Sequence, residues 1–469
     1  MINPEILREY DIRGIYQKSL KLRDIESIAK KISNIILETR EPHNSLFRKI
    51  IIGHDGRLSS LEIKNKLIDT FRTHGINVID ISLIPTPLSY WASKILTIPN
   101  LIMITGSHNP KEYNGLKIII NNKPFFGEKI KSLNVVSDAP LNKKLGRLEF
   151  KDVINSYELE IIGQFKNINN LKIVWDPGNG AIAPIIHKII NLIKGTNVIL
   201  NRSIDGNFPN HHPDPTVKKN ITQISEYIKK NSFDLGIAFD GDGDRVGIID
   251  NRGNLVYSDI IFLLLVLDLQ VEKKELTAIA DVKCSKILFD TLKDKGVNIL
   301  MSKTGHSLIK EMIIKENADI AGEMSGHIFY KHKYYGYDDA IYASLKLIKL
   351  INKKNMTLSN LIKPYIKSIS TPEIKLYCKE SSKFLLLKDI IDKLTYLYDS
   401  AEKIKIDGLR IETIDFWFLI RASNTQNCLV FRLEHYNRNN FQIELNRLIS
   451  IFEEFDIDIS ELTTFNNTI

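Results

Sequence analysis

Three times along this chain an apolar, β-branched run ends in a polar or glycine-containing turn and passes into helical text. The runs are IIGHDGRLSS from Ile51, IVWDPGNGA from Ile173 and AIADVKCS from Ala278. The text that follows is LEIKNKLIDTFRTH, IIHKIINLIK and KILFDTLKDK, each with apolar residues at three- and four-residue spacing. Each helix stops at a glycine (Gly75, Gly195 or Gly296) that opens another Val/Ile run. Glycine suits a left-handed helix cap, and the run behind it suits a buried strand. Strand–helix–strand units predict parallel pairing with right-handed crossovers. The units lie more than a hundred residues apart, too far for a solenoid. The expectation is three similar α/β domains, at 1–153, 154–254 and 255–366. From about residue 367 the unit disappears. Strands with helical stretches near 385–395 and 441–455 there predict a smaller α+β domain, 367–469.

A chain of 469 residues is too long for one core, which agrees with that division. Its net charge of +8 suits either nucleic acid or an anionic small substrate. No Arg/Lys stripe with interleaved aromatics is present, so a nucleic-acid partner is not expected. Cys284, Cys378 and Cys428 are scattered and odd in number, which suggests a reducing compartment rather than a disulfide or zinc framework. The N-terminal text has no signal-like apolar stretch, and IIFLLLVL at 260–267 is too short to span a bilayer. A cytoplasmic protein without a membrane partner is expected.

Four motifs are candidates for chemistry. In DGDGDR, directly after the apolar FDLGIAF, Asp240, Asp242 and Asp244 emerge at a strand's C-terminal end, where open α/β sheets place their ligands. Alternate residues of an extended segment share a face, so the three carboxylates are expected to converge. Two unit charges about 4 Å apart cost roughly 4 kcal/mol at an effective dielectric near 20, so three of them call for a cation such as Mg²⁺. An EF-hand does not fit, because Arg245 and Asn251 stand where Gly and Glu are needed. A dinucleotide loop does not fit the GxGxxxG spacing. A solvated acidic turn is the other reading.

TGSHNPKEYNGLK, from Thr105 to Lys117, follows the apolar LIMI and sets Ser107 on a strand-end turn. It lacks the first glycine of the hydrolase elbow. Ser107 either caps a helix or carries a phosphoryl group among cations. AGEMSGH puts Glu323, Ser325 and His327 at alternating positions, which suits vicinal sugar hydroxyls or else a plain surface turn. RASNTQ combines Arg421 with Ser423, Asn424 and Thr425, either a phosphate loop or a capped hairpin. No Walker-type GxxxxGK[ST] occurs.

In this order and spacing the motifs resemble the α-D-phosphohexomutase superfamily, and within it the bacterial phosphomannomutase/phosphoglucomutase group. REYDIRG, GHDGRLSS, DGNFPNHHPDPT, KTGHS and YYGYDD add to the likeness, which covers nearly the whole chain. The resemblance implies three α/β domains with mixed sheets and a TATA-binding-protein-like fourth domain around a central cleft. It implies a phosphoserine at Ser107, with Mg²⁺ held by Asp240, Asp242, Asp244 and a phosphoserine oxygen. Glu323 and Ser325 match sugar-hydroxyl readers, and Arg421, Ser423, Asn424 and Thr425 match a phosphate loop. Tyr10, Arg13, Lys117, Arg245, Lys283, His306 and His327 fall where the family keeps substrate contacts and proton-transfer groups. His327, or His108 with Lys117, is the candidate for moving the hydroxyl proton. The implied reaction converts hexose 1-phosphate to hexose 6-phosphate through a glucose or mannose 1,6-bisphosphate, in a monomer whose partners are phosphosugars. Met324 of GEMSGH points to mannose and glucose, whereas GEQSGH resembles phosphoglucosamine mutases. Phosphoglucosamine mutase and a non-catalytic phosphosugar-binding protein are the alternatives.

Overall fold

The computed structural model describes residues 1–39, 45–165, 171–191, 193–423 and 426–468. Its first sheet runs Ile12–Ile15, Tyr113–Ile120, Leu101–Ile104, Lys49–His54, Asn77–Leu83, Leu148–Phe150, with Lys123–Pro124 beside Tyr113–Ile120. Lys49–His54 pairs in parallel with Asn77–Leu83 on one side and Leu101–Ile104 on the other. Tyr113–Ile120 then turns back antiparallel on Leu101–Ile104. The helix Ser60–Thr73 makes the first crossover and buries Ile63, Leu67, Ile68 and Phe71, one face at helical spacing.

The second sheet repeats this plan: Leu171–Asp176 lies between Gly195–Ile199 and Leu235–Phe239, and Val246–Ile249 turns back antiparallel. The third repeats it again, with Thr277–Asp281 between Asn298–Ser302 and Ile320–Gly322 and with Ile328–Tyr330 returning. These are three α/β domains with mixed sheets. Parallel pairing holds for the first three strands of each unit and fails for the fourth, because that strand follows a tight turn and has no helix to cross over. The fourth sheet is antiparallel throughout. It packs on Lys383–Leu397 and Arg438–Phe452 around a separate core that includes Ile390, Phe418, Phe431 and Phe441.

One sequence expectation changes in detail. Gly75 (φ 79°) and Gly296 (φ 76°) do take the left-handed turn after their helices. Gly195 does not cap one: the second helix ends early, at Ile189, and Gly195 (φ 116°) is the first residue of its strand. The apolar IIFLLLVL lies in the helix Ser258–Glu272, where residues 260–266 are all buried. At roughly 1.5–3 kcal/mol per buried large side chain, that helix joins the largest core as an internal element. No described helix is long and apolar enough to cross a membrane.

Candidate active site

The plan that recurs three times leaves one distinctive turn in each sheet, between the last parallel strand and its antiparallel return. In the first sheet that turn carries Ser107, in the second DGDGDR, in the third EMSGH. The hairpin turn between Phe416–Ala422 and Cys428–His435 of the fourth sheet carries Ser423.

Ser107 is 3% exposed and sits in the left-handed region at φ 47°. Its Oγ donates to Asp240 Oδ2 at 2.8 Å, across 133 residues of sequence, and lies 3.2 Å from His108 Nδ1. Burial, then the charges of Arg245 and Arg13, hold the His108 imidazole well below the usual histidine range, hence neutral. Arg13 Nη1 donates to Asn109 Oδ1 at 3.1 Å, and its Nη2 pairs with Asp11.

The three aspartates converge, with oxygens within 4.8 Å of one another. They do so through a turn and not along an extended strand. Asp240 Oδ1 accepts from the N–H groups of Gly243, Asp244 and Arg245 at 3.0–3.2 Å, folding the chain back on itself, and Gly243 supplies the positive φ of 73°. All three are fully buried. Burial, then the charges of Asp242 and Asp244, pushes the Asp240 carboxyl well above the usual range. Burial also works to raise Asp242, but the Lys117 ammonium at 2.7 Å outweighs it and holds that carboxyl down. Lys117 also pairs with Asp244; burial opposes its charge, yet the two carboxylates keep it well above the ordinary lysine value. Asp242 Oδ1 and Asp244 Oδ1 remain buried without a hydrogen bond. Hard, convergent, underused carboxylate oxygens of this kind fit a divalent cation such as Mg²⁺.

The third turn is stitched to the second: Val246 N donates to Gly326 O at 3.1 Å, and Arg245 Nε donates to His327 Nε2 at 3.0 Å. His327 Nδ1 lies 2.9 Å from Asp338 Oδ2, and the His306 ring stacks on His327 at 5.5 Å. Lys310 binds Asp338 Oδ1 at 2.7 Å and lies 3.4 Å from His306 Nδ1. Burial works to raise Asp338, but Lys310 and His327 hold it well below the usual range. Burial, then Lys310, depresses His306. Glu323 Oε1 accepts from Gly305 N at 2.6 Å, while its Oε2 accepts from Ser325 Oγ at 3.3 Å. Glu323, Ser325 and His327 therefore gather as expected, again around a turn.

Tyr10 reaches across from the first domain and donates to Thr304 O at 2.6 Å. Lys283 Nζ pairs with Glu373 Oε1 at 2.6 Å; burial opposes its charge, but Glu373 and Asp281 outweigh it. Arg421 Nε donates to Asp407 Oδ2 at 2.8 Å, and Asp407 also accepts from Thr304 N. Ser423 Oγ accepts from Gln426 N at 3.1 Å. Asn424 and Thr425 lie outside the described residues.

Sequence reasoning singled out neither Asp338 nor Lys310, nor Thr86, whose N–H donates to Asp242 O at 2.8 Å and whose hydroxyl binds the Asp242 carboxylate. It also passed over Arg57, which grips the Ser107 loop. YYGYDD contains Asp338 and GHDGRLSS contains Arg57, so both motifs were visible without their roles. Lys310 is one lysine in an ordinary helix and gave no signal.

Family models for phosphoglucomutase/phosphomannomutase α/β/α domains I, II and III match residues 4–134, 151–253 and 257–368. The chain is 37% identical over 448 residues to phosphomannomutase/phosphoglucomutase of Pseudomonas syringae pv. tomato, covering 95% of this chain and 94% of the relative. It is 35% identical over 433 residues to phosphoglucomutase of Neisseria meningitidis serogroup A, covering 92% and 93%. The crystal structure of a phosphoglucomutase/phosphomannomutase family protein from Burkholderia thailandensis superposes with a TM-score of 0.87 at 33% identity, over 97% of this chain and 98% of that one.

Proposed function

The chain belongs to the phosphoglucomutase/phosphomannomutase family, a mutase interconverting hexose 1-phosphate and hexose 6-phosphate, and we propose that Ser107 carries the phosphoryl group between them. One observation supports this above the rest: Ser107 Oγ and Asp240 Oδ2, from two different sheets, meet at 2.8 Å in the interior. A buried hydroxyl set against a carboxylate cluster with underused oxygens suits a phosphoserine more than a structural cap.

Phosphorylated Ser107 donates its phosphoryl group to the free hydroxyl of the bound hexose 1-phosphate. The serine O–P bond breaks, a sugar O–P bond forms, and the hydroxyl proton leaves to a base. The resulting glucose or mannose 1,6-bisphosphate reorients and returns its other phosphoryl group to Ser107, releasing hexose 6-phosphate. Asp240, Asp242 and Asp244 would hold Mg²⁺, which when bound neutralises charge on the phosphoryl oxygens. His327 is the better placed base. Arg245, which donates to its Nε2, turns to the transferring phosphoryl group and so frees that lone pair for the hydroxyl proton, while the Lys117 ammonium is committed to two carboxylates. Arg245 and Lys117 offset the transferring charge.

In this reading the serine, metal, sugar and phosphate loops sit on four domains, 1–153, 154–254, 255–366 and 367–469. Glu323 and Ser325 read the sugar hydroxyls, and Arg421, Ser423, Asn424 and Thr425 hold its phosphate. Tyr10, Arg13, Lys283, His306 and His108 complete the contacts. All of these come from one chain, so the site needs no partner subunit. Met324 in the sugar turn supports mannose and glucose substrates over glucosamine, as do the names of the two relatives above.

The test is Ser107→Ala in a coupled assay with Mg²⁺ and catalytic glucose 1,6-bisphosphate, where turnover falls about a thousandfold or more. Intact mass of the wild type, followed by peptide mapping, is expected to find a phosphoryl group on Ser107. Undiminished Ser107→Ala turnover overturns the phosphoserine role, and a preference for glucosamine 1-phosphate overturns the sugar assignment.

A further inference from the structure

Arg57 lies in the turn between the strand Lys49–His54 and the helix Ser60–Thr73 and is 3% exposed. Its guanidinium serves no substrate atom in the mechanism above. Instead it is enclosed by backbone oxygens: Nη2 donates to the carbonyls of Ser107 and Asn109, both at 2.6 Å. Nη1 donates to those of Pro110 at 2.6 Å and Tyr113 at 3.0 Å. Nε lies 3.2 Å from Asp55 Oδ2, and the same carboxylate oxygen accepts from Gly106 N. The serine loop is wrapped around one planar cation.

Four further features belong to that arrangement. A Cβ on Gly106 would collide with the guanidinium, so the glycine before Ser107 is dictated by Arg57. Phe208, on the second domain's DGNFPN loop, lies 5.1 Å from the guanidinium carbon in a cation–π contact. In that same loop a Cβ on Gly206 would stand 2.7 Å from Gly56 O, so the two domains meet backbone to backbone beside Arg57. Ser107 itself holds a φ of 47°, a conformation that a non-glycine residue keeps only where its surroundings over-determine it.

We propose that Arg57 is a positioning residue for phosphoryl transfer: through four carbonyls it holds the Ser107 loop in the conformation that aims Oγ at the metal-binding carboxylates, without touching substrate. Five donors in a rigid plane satisfy such a ring of acceptors. A lysine ammonium, with three donors in tetrahedral array, does not. Apart from His108, the groups assigned to bind the phosphosugar lie on other loops, so the arrangement predicts a defect mainly in turnover, with little change in affinity.

The inference rests on Ser107 carrying the phosphoryl group. Arg57→Ala and Arg57→Lys are compared with the wild type, each with Mg²⁺ and glucose 1,6-bisphosphate, for kcat, KM, Tm and methylguanidinium rescue. A displacement of about 1 Å at a reacting atom costs about 100-fold, so kcat of Arg57→Ala falls by about that factor while KM stays within about threefold. Arg57→Lys is intermediate, and methylguanidinium restores part of the kcat of Arg57→Ala. Loss of Tm with kcat per folded molecule intact, or a rise in KM with kcat intact, overturns the proposal. Should Arg57→Ala not fold, Arg57→Lys decides: reduced kcat at unchanged KM supports the role, and unchanged kcat overturns it. Failure of the phosphoserine reading is seen separately, as a fully active Ser107→Ala.

Discussion

In the DGDGDR loop the ammonium of Lys117 stands against two carboxylates, while Asp242 Oδ1 and Asp244 Oδ1 find no hydrogen bond. Three buried carboxylates against the Lys117 ammonium and the Arg245 guanidinium leave a net negative charge that a cation would relieve, so the folded state should bind Mg²⁺ far better than the unfolded chain. At a free concentration 100 times its dissociation constant the ion adds about 2.7 kcal/mol of stability. Chelation should therefore lower the Tm of the wild type, and Mg²⁺ should restore it. Asp242→Asn, which removes one ligand charge, should blunt that response in a thermal-shift titration. An equal Mg²⁺ response in both proteins would show that the ion binds elsewhere. The carboxylate triplet itself was legible from DGDGDR because charge repulsion alone demands an explanation. The N–H groups that fold the loop over Asp240, and the Thr86 hydroxyl on Asp242, were not, since backbone amides and a threonine carry no signature in sequence.

At the level of elements, the same strand-to-strand turn hosts Ser107, the three aspartates and the Glu323, Ser325 and His327 group. A duplicated unit offers one equivalent turn per sheet, at the end of the last parallel strand, where side chains project beyond the sheet. The loops that return between strands are held by local pairs. In the second unit, His211 Nε2 meets Asp176 Oδ2 at 2.9 Å, at the end of Leu171–Asp176. Burial works to lower the His211 pKa, but Asp176 outweighs it and the net shift is upward from 6.5. A raised value means that the pair's stabilisation is complete below pH 6.5 and is lost as pH rises through the folded-state value. The Tm difference between wild type and His211→Gln should then be largest at acidic pH and shrink above 6.5. A difference that grows with pH would contradict the pairing. Helix ends were read correctly at Gly75 and Gly296 but not at Gly195. There the helical spacing of IIHKIINLIK runs past the point where packing ends the helix at Ile189.

Across the whole molecule, the fourth sheet is locked to the third by buried guanidiniums. Arg410 Nη1 donates to Val282 O and Cys284 O at 2.6 Å each, its Nε pairs with Glu412 at 2.7 Å, and it stacks 3.8 Å from the Trp417 ring. Arg432 pairs with Asp259 at 3.7 Å and donates to Lys283 O, beside the lysine assigned to substrate. Removing one member of such a buried set strands its partners, at a cost of about 3–5 kcal/mol. Arg410→Ala should lower the unfolding midpoint in urea accordingly and separate an early transition of the last domain. A midpoint unchanged from wild type would mean that the junction is held by other contacts. Glu373 pairs across this junction with Lys283, and within the fourth domain Asp407 pairs with Arg421, so both cations are already paired. Nothing in STPEIK or in KIDGLR announces that. Periodicity, turn glycines and the ordered motifs determined the strand–helix units, the fold class and the loops that carry chemistry, because those depend on residues near one another in the chain. The tertiary structure decided which groups distant in sequence meet: Ser107 with Asp240 and Arg245 with His327, which depend on how separately folded sheets pack together, and Arg57 with its ring of carbonyls, which depends on how two loops at one end of the first sheet fold over each other.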